Sequence, residues 1–208
     1  MDNHASRNDL LLADCIPFMT VPALQSYAEV SPTTARWVAT HLDEQLNTAL
    51  TDYVYDPIAF RSALRLTQSV ISGSFALWFL LHGQERCFKP ADLNIYVPCK
   101  YGRRFADYLI TAEGYKLCKT QAALYAGFRR VAHSTVLVLQ RASTRIDVVV
   151  SSNDSALYPL SHFWASHLMN YISSDSYCVA YPDLTFARRG RAPVSVVSSV
   201  IVFVSSAI

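Results

Sequence analysis

Residues 71–100 read ISGSFALWFLLHGQERCFKPADLNIYVPCK, and this stretch decides the fold. Its β-branched start, preceded by Ser-Val, predicts a short strand that enters a turn at Gly73. The apolar run that follows predicts a buried helix closed by Gly83. DLNIYV at 92–97 alternates polar and apolar residues and stops at Pro98, so it predicts a strand with one face on the core.

Two of the predicted strands carry polar side chains in apolar surroundings. Asp92 and Asn94 are two residues apart, so they share one face of their strand. Asp147 lies inside RIDVVV at 145–150, a later predicted strand. A buried acid is costly unless it is paired or holds a cation. Oxygen ligands of this kind suit magnesium, so the three residues predict a magnesium site.

Gly73 and Ser74 stand where the first strand turns into the helix. Amide groups at a helix amino terminus, a glycine that allows close approach and a serine hydroxyl together can hold a phosphate. The same pair is also common as a plain turn and helix cap, and that alternative stays open. Beside Asp92, Asn94 and Asp147, the turn predicts a site for a nucleoside triphosphate with magnesium.

The chain is predicted to be helical from about residue 16 to residue 68. Thr33 and Thr34 are the expected caps of a long helix with apolar residues at every third or fourth position. Asp56 is the expected cap of a second helix that begins with Pro57. The stripe of the long helix consists of Trp37, Val38, His41, Leu42, Gln45, Leu46 and Ala49.

Further helices and strands are predicted downstream. GRRFADYLITAEGY at 102–115 is a predicted helix, and STVLVLQ at 134–140 with TRIDVVVS at 144–151 predicts a hairpin. PLSHFWASHLMNYI at 159–172 predicts a last helix with Ser161 as its cap. The order of elements indicates an α+β fold, with a mixed sheet, flanking helices and an amino-terminal helical extension.

Composition excludes several classes of protein. With 51% hydrophobic and 16% charged residues, the 208-residue chain is globular rather than disordered. A net charge of +2 does not indicate a nucleic-acid partner. Five cysteines without a Cys-x-x-Cys pair indicate reduced thiols rather than a zinc site. The start lacks a secretory signal, so we expect an intracellular protein, cytoplasmic or nuclear, and no feature identifies a protein partner.

The last sixteen residues, PVSVVSSVIVFVSSAI at 193–208, are apolar and uncharged. They are fewer than the roughly 20 residues that a membrane-spanning helix needs, so a membrane partner is disfavoured. A terminal strand, an aggregation-prone segment and translated intron sequence are the alternatives left open.

The glycine-serine turn, DLNIYV and RIDVVV resemble the nucleotidyltransferase fold of the DNA polymerase beta superfamily. Its pattern is Gly-Ser, then Asp-x-Asp or Asp-x-Glu on one strand, then a third carboxylate on another. DPIAFRSALRLTQSVISGSFALWFL at 56–80 and HLMNYISSDSYCVAYPDLTFARR at 167–189 are similar to nucleotidyltransferase-like proteins of mushroom-forming fungi. The resemblance implies a nucleotidyltransferase-like domain over residues 55–190, after a helical extension at 1–54 and before a tail at 191–208.

The chain departs from that pattern at Asn94, which stands in place of the second carboxylate. In active members of the superfamily the paired acids bind two magnesium ions, and the third acid helps to activate the attacking hydroxyl. An amide has one neutral carbonyl oxygen, so it bridges two ions poorly. The resemblance therefore implies a degenerate nucleotidyltransferase-like protein that binds a nucleotide or one divalent metal. An active magnesium-dependent transferase using Asp92 and Asp147, and a structural or protein-interaction module without a site, are the two alternatives.

Overall fold

One eight-stranded mixed sheet organises the protein. The computed structural model describes residues 14–84, 88–122, 134–163, 165–190 and 201–204. Residues 1–13 of the predicted extension, together with 191–200 and 205–208 of the predicted tail, lie outside the described residues. The α+β class with a mixed sheet and flanking helices is confirmed.

The strand order across the sheet is β3-β4-β5-β2-β1-β6-β7-β8. Only β2 and β5 run parallel; the other neighbours are antiparallel. The strands are β1 (Val70–Ser72), β2 (Leu93–Val97), β3 (Lys116–Ala122), β4 (Thr135–Arg141), β5 (Thr144–Val150), β6 (Tyr171–Ile172), β7 (Ser176–Val179) and β8 (Ile201–Val204). The helices are α1 (Val21–Ala28), α2 (Pro32–Leu50), α3 (Pro57–Leu66), α4 (Ser74–Leu80), α5 (Gly102–Thr111) and α6 (Pro182–Phe186).

The two amino-terminal helices predicted with caps are present, but one cap differs. Asp56 caps α3 as predicted, because its carboxylate accepts hydrogen bonds from the amides of Ile58 and Ala59. The cap of α2 is Ser31, not the predicted pair Thr33 and Thr34. Ser31 accepts from the amide of Thr34, whose hydroxyl accepts in return from the Ser31 amide. This reciprocal capping box leaves Pro32 at the first helical position, where its missing N–H is no loss.

The helix predicted over residues 159–172 is wrong. Ser161, its expected cap, instead donates a 2.8 Å hydrogen bond to the carbonyl of Tyr158, a local bond that competes with helix formation. Phe163 then continues with extended backbone and packs edge to face on Tyr96 of β2. The segment forms two short 3-10 turns, Pro159–His162 and Ser166–Leu168, followed by β6.

The two faces of the sheet have different coverings. The face that carries Leu93 and Ile146 contributes to the main core, together with buried side chains of α1 to α5. The opposite face carries a smaller apolar cluster in which Tyr96 and Val149 pack with Phe163 and other side chains of the segment after β5. The polar residues singled out in the sequence lie on this second face, beyond the end of the smaller cluster.

The chain end pairs with the sheet over residues 201–204. β8 is antiparallel to β7, so this part of the tail forms a strand, one of the alternatives left open by the sequence. Among the described residues, none of the helices combines the length and apolar character needed to cross a membrane.

Gly102 sets how closely α5 approaches β5, the strand that carries Asp147. A Cβ atom at Gly102 would lie 2.7 Å from both methyl groups of Val150, so the helix sits where only glycine fits.

We expect Gly102→Ala to lower the free energy of unfolding by about 1–3 kcal/mol, since the added methyl overpacks a close contact. Alanine is favoured over glycine in helices by about 1 kcal/mol, so a net loss of unfolding free energy would identify the clash with the Val150 methyl groups. Urea denaturation followed by circular dichroism measures the change. Gly102→Ala combined with Val150→Ala is expected to lose less than the sum of the two single variants. Strict additivity would show that the methyl contact is not the cause.

Candidate functional site

The turn between β1 and α4 brings Gly73 against Asn94 of β2. Gly73 has φ 74° and ψ −146°, a conformation that is essentially restricted to glycine. A Cβ atom there would lie 3.5 Å from Nδ2 of Asn94. Ser74 begins α4 and is half-buried. The turn and Asn94 are thus neighbours, although they are about twenty residues apart in the chain.

A row of polar side chains crosses three strands. Asn94 of β2 pairs with Ser72 of β1 on one side and with Asp147 of β5 on the other, so all three face the same side of the sheet. Asp92 precedes β2 by one residue and lies two positions from Asn94. The hydroxyl of Ser72 donates to the carbonyl of Asn170 at 2.6 Å, which ties it to the backbone just before β6. Asp92, Asn94 and Asp147, the three predicted metal ligands, are thus brought together by the sheet.

Asp147 is paired by an arginine that the sequence analysis did not single out. Arg145 donates from Nε to Oδ1 of Asp147 at 2.7 Å and from Nη2 to Oδ2 at 2.6 Å. Asp147 is only 7% exposed, whereas the Arg145 side chain is 47% exposed. The hydrogen bonds to Asp147, and the negative charges of Asp147 and Asp92, raise the pKa of Arg145 against the effect of burial. Residues i and i+2 of a strand share a face, so the spacing of Arg145 and Asp147 in the sequence was the signal that could have indicated this ion pair.

We call Asp92, Asn94, Arg145 and Asp147 the polar cluster. Within it, Nδ2 of Asn94 donates to Oδ1 of Asp92 at 3.2 Å. Burial, and then the charge of Asp147, raise the pKa of the Asp92 carboxyl, while the charge of Arg145 and the bond from Asn94 oppose the rise. Asp92 therefore lies within electrostatic reach of both members of the ion pair, and its own charge is less fully compensated than that of Asp147.

Tyr53 fixes the chain where it enters β2. Its buried hydroxyl donates to the carbonyl of Pro90 at 3.1 Å, two residues before Asp92. Burial, and the charges of Asp52 and Asp92, raise the pKa of Tyr53 to about 12, so it remains a hydrogen-bond donor at neutral pH. Tyr53 comes from the turn after α2, and no local sequence pattern connects it to this site.

The polar cluster does not fit a centre of two divalent ions. Both oxygens of Asp147 accept from Arg145, and Asn94 adds no negative charge. Across the described ranges, no group of three or more histidine, cysteine, aspartate or glutamate side chains is placed to hold a metal. Asp92 and the carbonyl oxygen of Asn94 are the cluster's remaining oxygen ligands, which fit one hard cation completed by water or phosphate.

No protein-family model, curated protein or solved structure matches the chain.

Asp92 is expected to give stability a pH dependence. Its pKa is higher in the folded chain than the ordinary value of about 3.9, so the folded state binds the proton more tightly. This tighter proton binding adds to the free energy of unfolding below pH 3.9. The added stability is lost as the pH rises through the pKa of Asp92 in the folded chain. The free energy of unfolding of Asp92→Asn should therefore increase relative to that of wild type between pH 3.5 and pH 7. Urea titrations at several pH values provide the measurement.

The matched control for this experiment is Asp154→Asn, which removes an exposed carboxylate outside the polar cluster. A difference from wild type that follows the same pH course in both variants would contradict the role given to burial and to Asp147.

Proposed function

We propose that this chain is a degenerate nucleotidyltransferase-like protein that binds a nucleoside triphosphate with one magnesium ion and does not transfer a nucleotidyl group. The observation that carries the proposal is the bidentate pairing of Asp147 by Arg145, beside an Asp92 that has no such partner among the described residues. Asp147 is paired with the guanidinium of Arg145, and Asp92 is left for a ligand.

The phosphate end of the proposed ligand is assigned to Gly73 and Ser74. Their turn lies against Asn94, so a phosphate held there would be next to the polar cluster. The first amides of a helix have no partner within the helix, and Ser74 adds a hydroxyl. Since α4 has seven residues, the proposal relies on these individual donors rather than on a large helix dipole.

The magnesium ion is assigned to Asp92, with the carbonyl of Asn94 as a second oxygen. Magnesium in nucleotide sites is commonly held by one or two protein oxygens, with phosphate and water completing its shell. Burial, and then the charge of Asp147, raise the pKa of Asp92, and a bound cation would oppose both effects by stabilising the ionised carboxylate.

Loss of transfer activity follows from the state of Asp147. The superfamily pattern gives the third carboxylate the tasks of holding the catalytic metal and activating the attacking hydroxyl. Both tasks require a carboxylate oxygen that is free to accept a metal or a proton. In the polar cluster each oxygen of Asp147 already accepts a charge-assisted hydrogen bond from the guanidinium of Arg145, so both oxygens are engaged.

Calorimetry with ATP, GTP, CTP and UTP, each with and without magnesium, tests the proposal on the whole chain. We expect magnesium-dependent binding of at least one nucleotide by wild type, and about a tenfold or greater loss of affinity in Asp92→Asn, because the ion loses its charged ligand. Asp154→Asn is expected to bind as wild type does. Release of pyrophosphate, followed with a coupled assay, is expected to be absent.

Each other outcome points to a different function. Absence of binding for all four nucleotides would contradict the proposal and favour a structural or interaction module. Equal affinity in wild type and Asp92→Asn would remove Asp92 from the metal site. Sustained release of pyrophosphate would favour an active transferase.

A further inference from the structure

We infer that the guanidinium of Arg145 takes the place of one of the two divalent ions of a nucleotidyltransferase centre, so that the polar cluster accepts only a single ion. This inference rests on the proposed function, because it compares the polar cluster with a centre that holds two ions. It adds a residue that determines metal stoichiometry and that the sequence pattern of the superfamily does not contain.

Arg145 contacts both oxygens of Asp147, one of the two acids that a shared divalent ion would need. A divalent ion shared by the two acids needs at least one oxygen of Asp147, and both are within 2.7 Å of a guanidinium nitrogen. The planar fork of arginine matches the two oxygens of a carboxylate, so the pair is specific in geometry as well as in charge. An ion that took the side of Asp147 now occupied by the guanidinium would have to displace this pair.

Arg145 lies close to both acids. In the parallel register Leu93 is opposite Ile146, so the next pair along the strands places Arg145 beside Asp92. The charges of both acids act on the guanidinium, in agreement with that placement. A second divalent ion at this point would compete with the guanidinium for a carboxylate. The positive charge of the guanidinium would also repel the ion.

The remaining nitrogen of Arg145 is available to a ligand. Among the described residues, Nη1 makes no hydrogen bond, and nearly half of the side chain is exposed. Arginine remains protonated at any physiological pH. Arg145 therefore presents a permanent positive charge to a phosphate oxygen next to the single ion, whereas a second divalent ion would first have to bind from solution.

Titration with manganese chloride, in the absence of nucleotide, tests the inference on the whole chain. Free manganese is quantified by electron paramagnetic resonance. We expect wild type to bind one ion, Arg145→Gln to bind manganese at least about tenfold more tightly because Asp147 is released, and Arg145→Gln with Asn94→Asp to bind two. The matched control is Arg103→Gln, whose side chain is 95% exposed on α5 and pairs with Asp107, and it should bind as wild type does.

Unchanged manganese affinity in folded Arg145→Gln would overturn the inference, and so would two ions bound per wild-type chain. If Arg145→Gln loses its fold because a buried carboxylate is left unpaired, the stoichiometry of wild type decides: one ion supports the inference, and none or two overturn it. Because nucleotide is omitted, the comparison remains valid even if the proposed triphosphate binding fails.

Discussion

The parallel pairing of β2 with β5 is the constraint on which both the core and the candidate site depend. It is the only parallel pair in the sheet described for this chain, and it places Leu93 beside Ile146 and Asn94 beside Asp147. Because side chains alternate between faces, one register sends the first pair into the main core and the second pair to the opposite face. A slip of one residue would bury the polar side chains under the helices and expose the apolar ones, so selection for the core also fixes the geometry of the polar cluster.

Within that register, the two acids differ in how their charge is compensated. Asp147 has its counter-charge two residues earlier on its own strand, so the ion pair with Arg145 requires no distant part of the fold. Asp92 stands just before β2, where the Tyr53 hydroxyl fixes the preceding backbone and Asn94 supplies one hydrogen bond. Burial, and then the negative charge of Asp147, raise the pKa of Asp92, and the neutral donor Asn94 offsets only part of that rise. The asymmetry is a property of the folded surroundings, since the two side chains are chemically identical.

Much of this arrangement could be predicted from sequence where the local signal is strong. β2, β5 and the turn at Gly73 have alternating or β-branched residues and a glycine at the bend, so pattern and structure agree. β3 (Lys116–Ala122) was not predicted, because it lies at the edge of the sheet with mostly exposed side chains and lacks an apolar face. The helix expected over 159–172 failed because Phe163 packs on Tyr96, a tertiary contact that local periodicity does not contain. The role of Arg145 was likewise hidden, because exposed arginines are common and only the folded chain shows which carboxylate one of them binds.

Asn94 and Arg145 can be understood as two changes that preserve one electrostatic balance. In the superfamily pattern, three carboxylates with two divalent ions leave one net positive charge for the triphosphate. In the proposed centre, Asp92 and Asp147 with one guanidinium and one divalent ion leave the same net charge. Attraction for phosphate depends on that total, whereas transfer depends on a second ion and on a free carboxylate beside the attacking hydroxyl. Under the proposed function, such a cluster would retain the field that binds a nucleotide and would lack the groups that react with it. Fold and activity would then be separated by two side chains on adjacent strands, Asn94 and Arg145, without any change in the sheet that carries them.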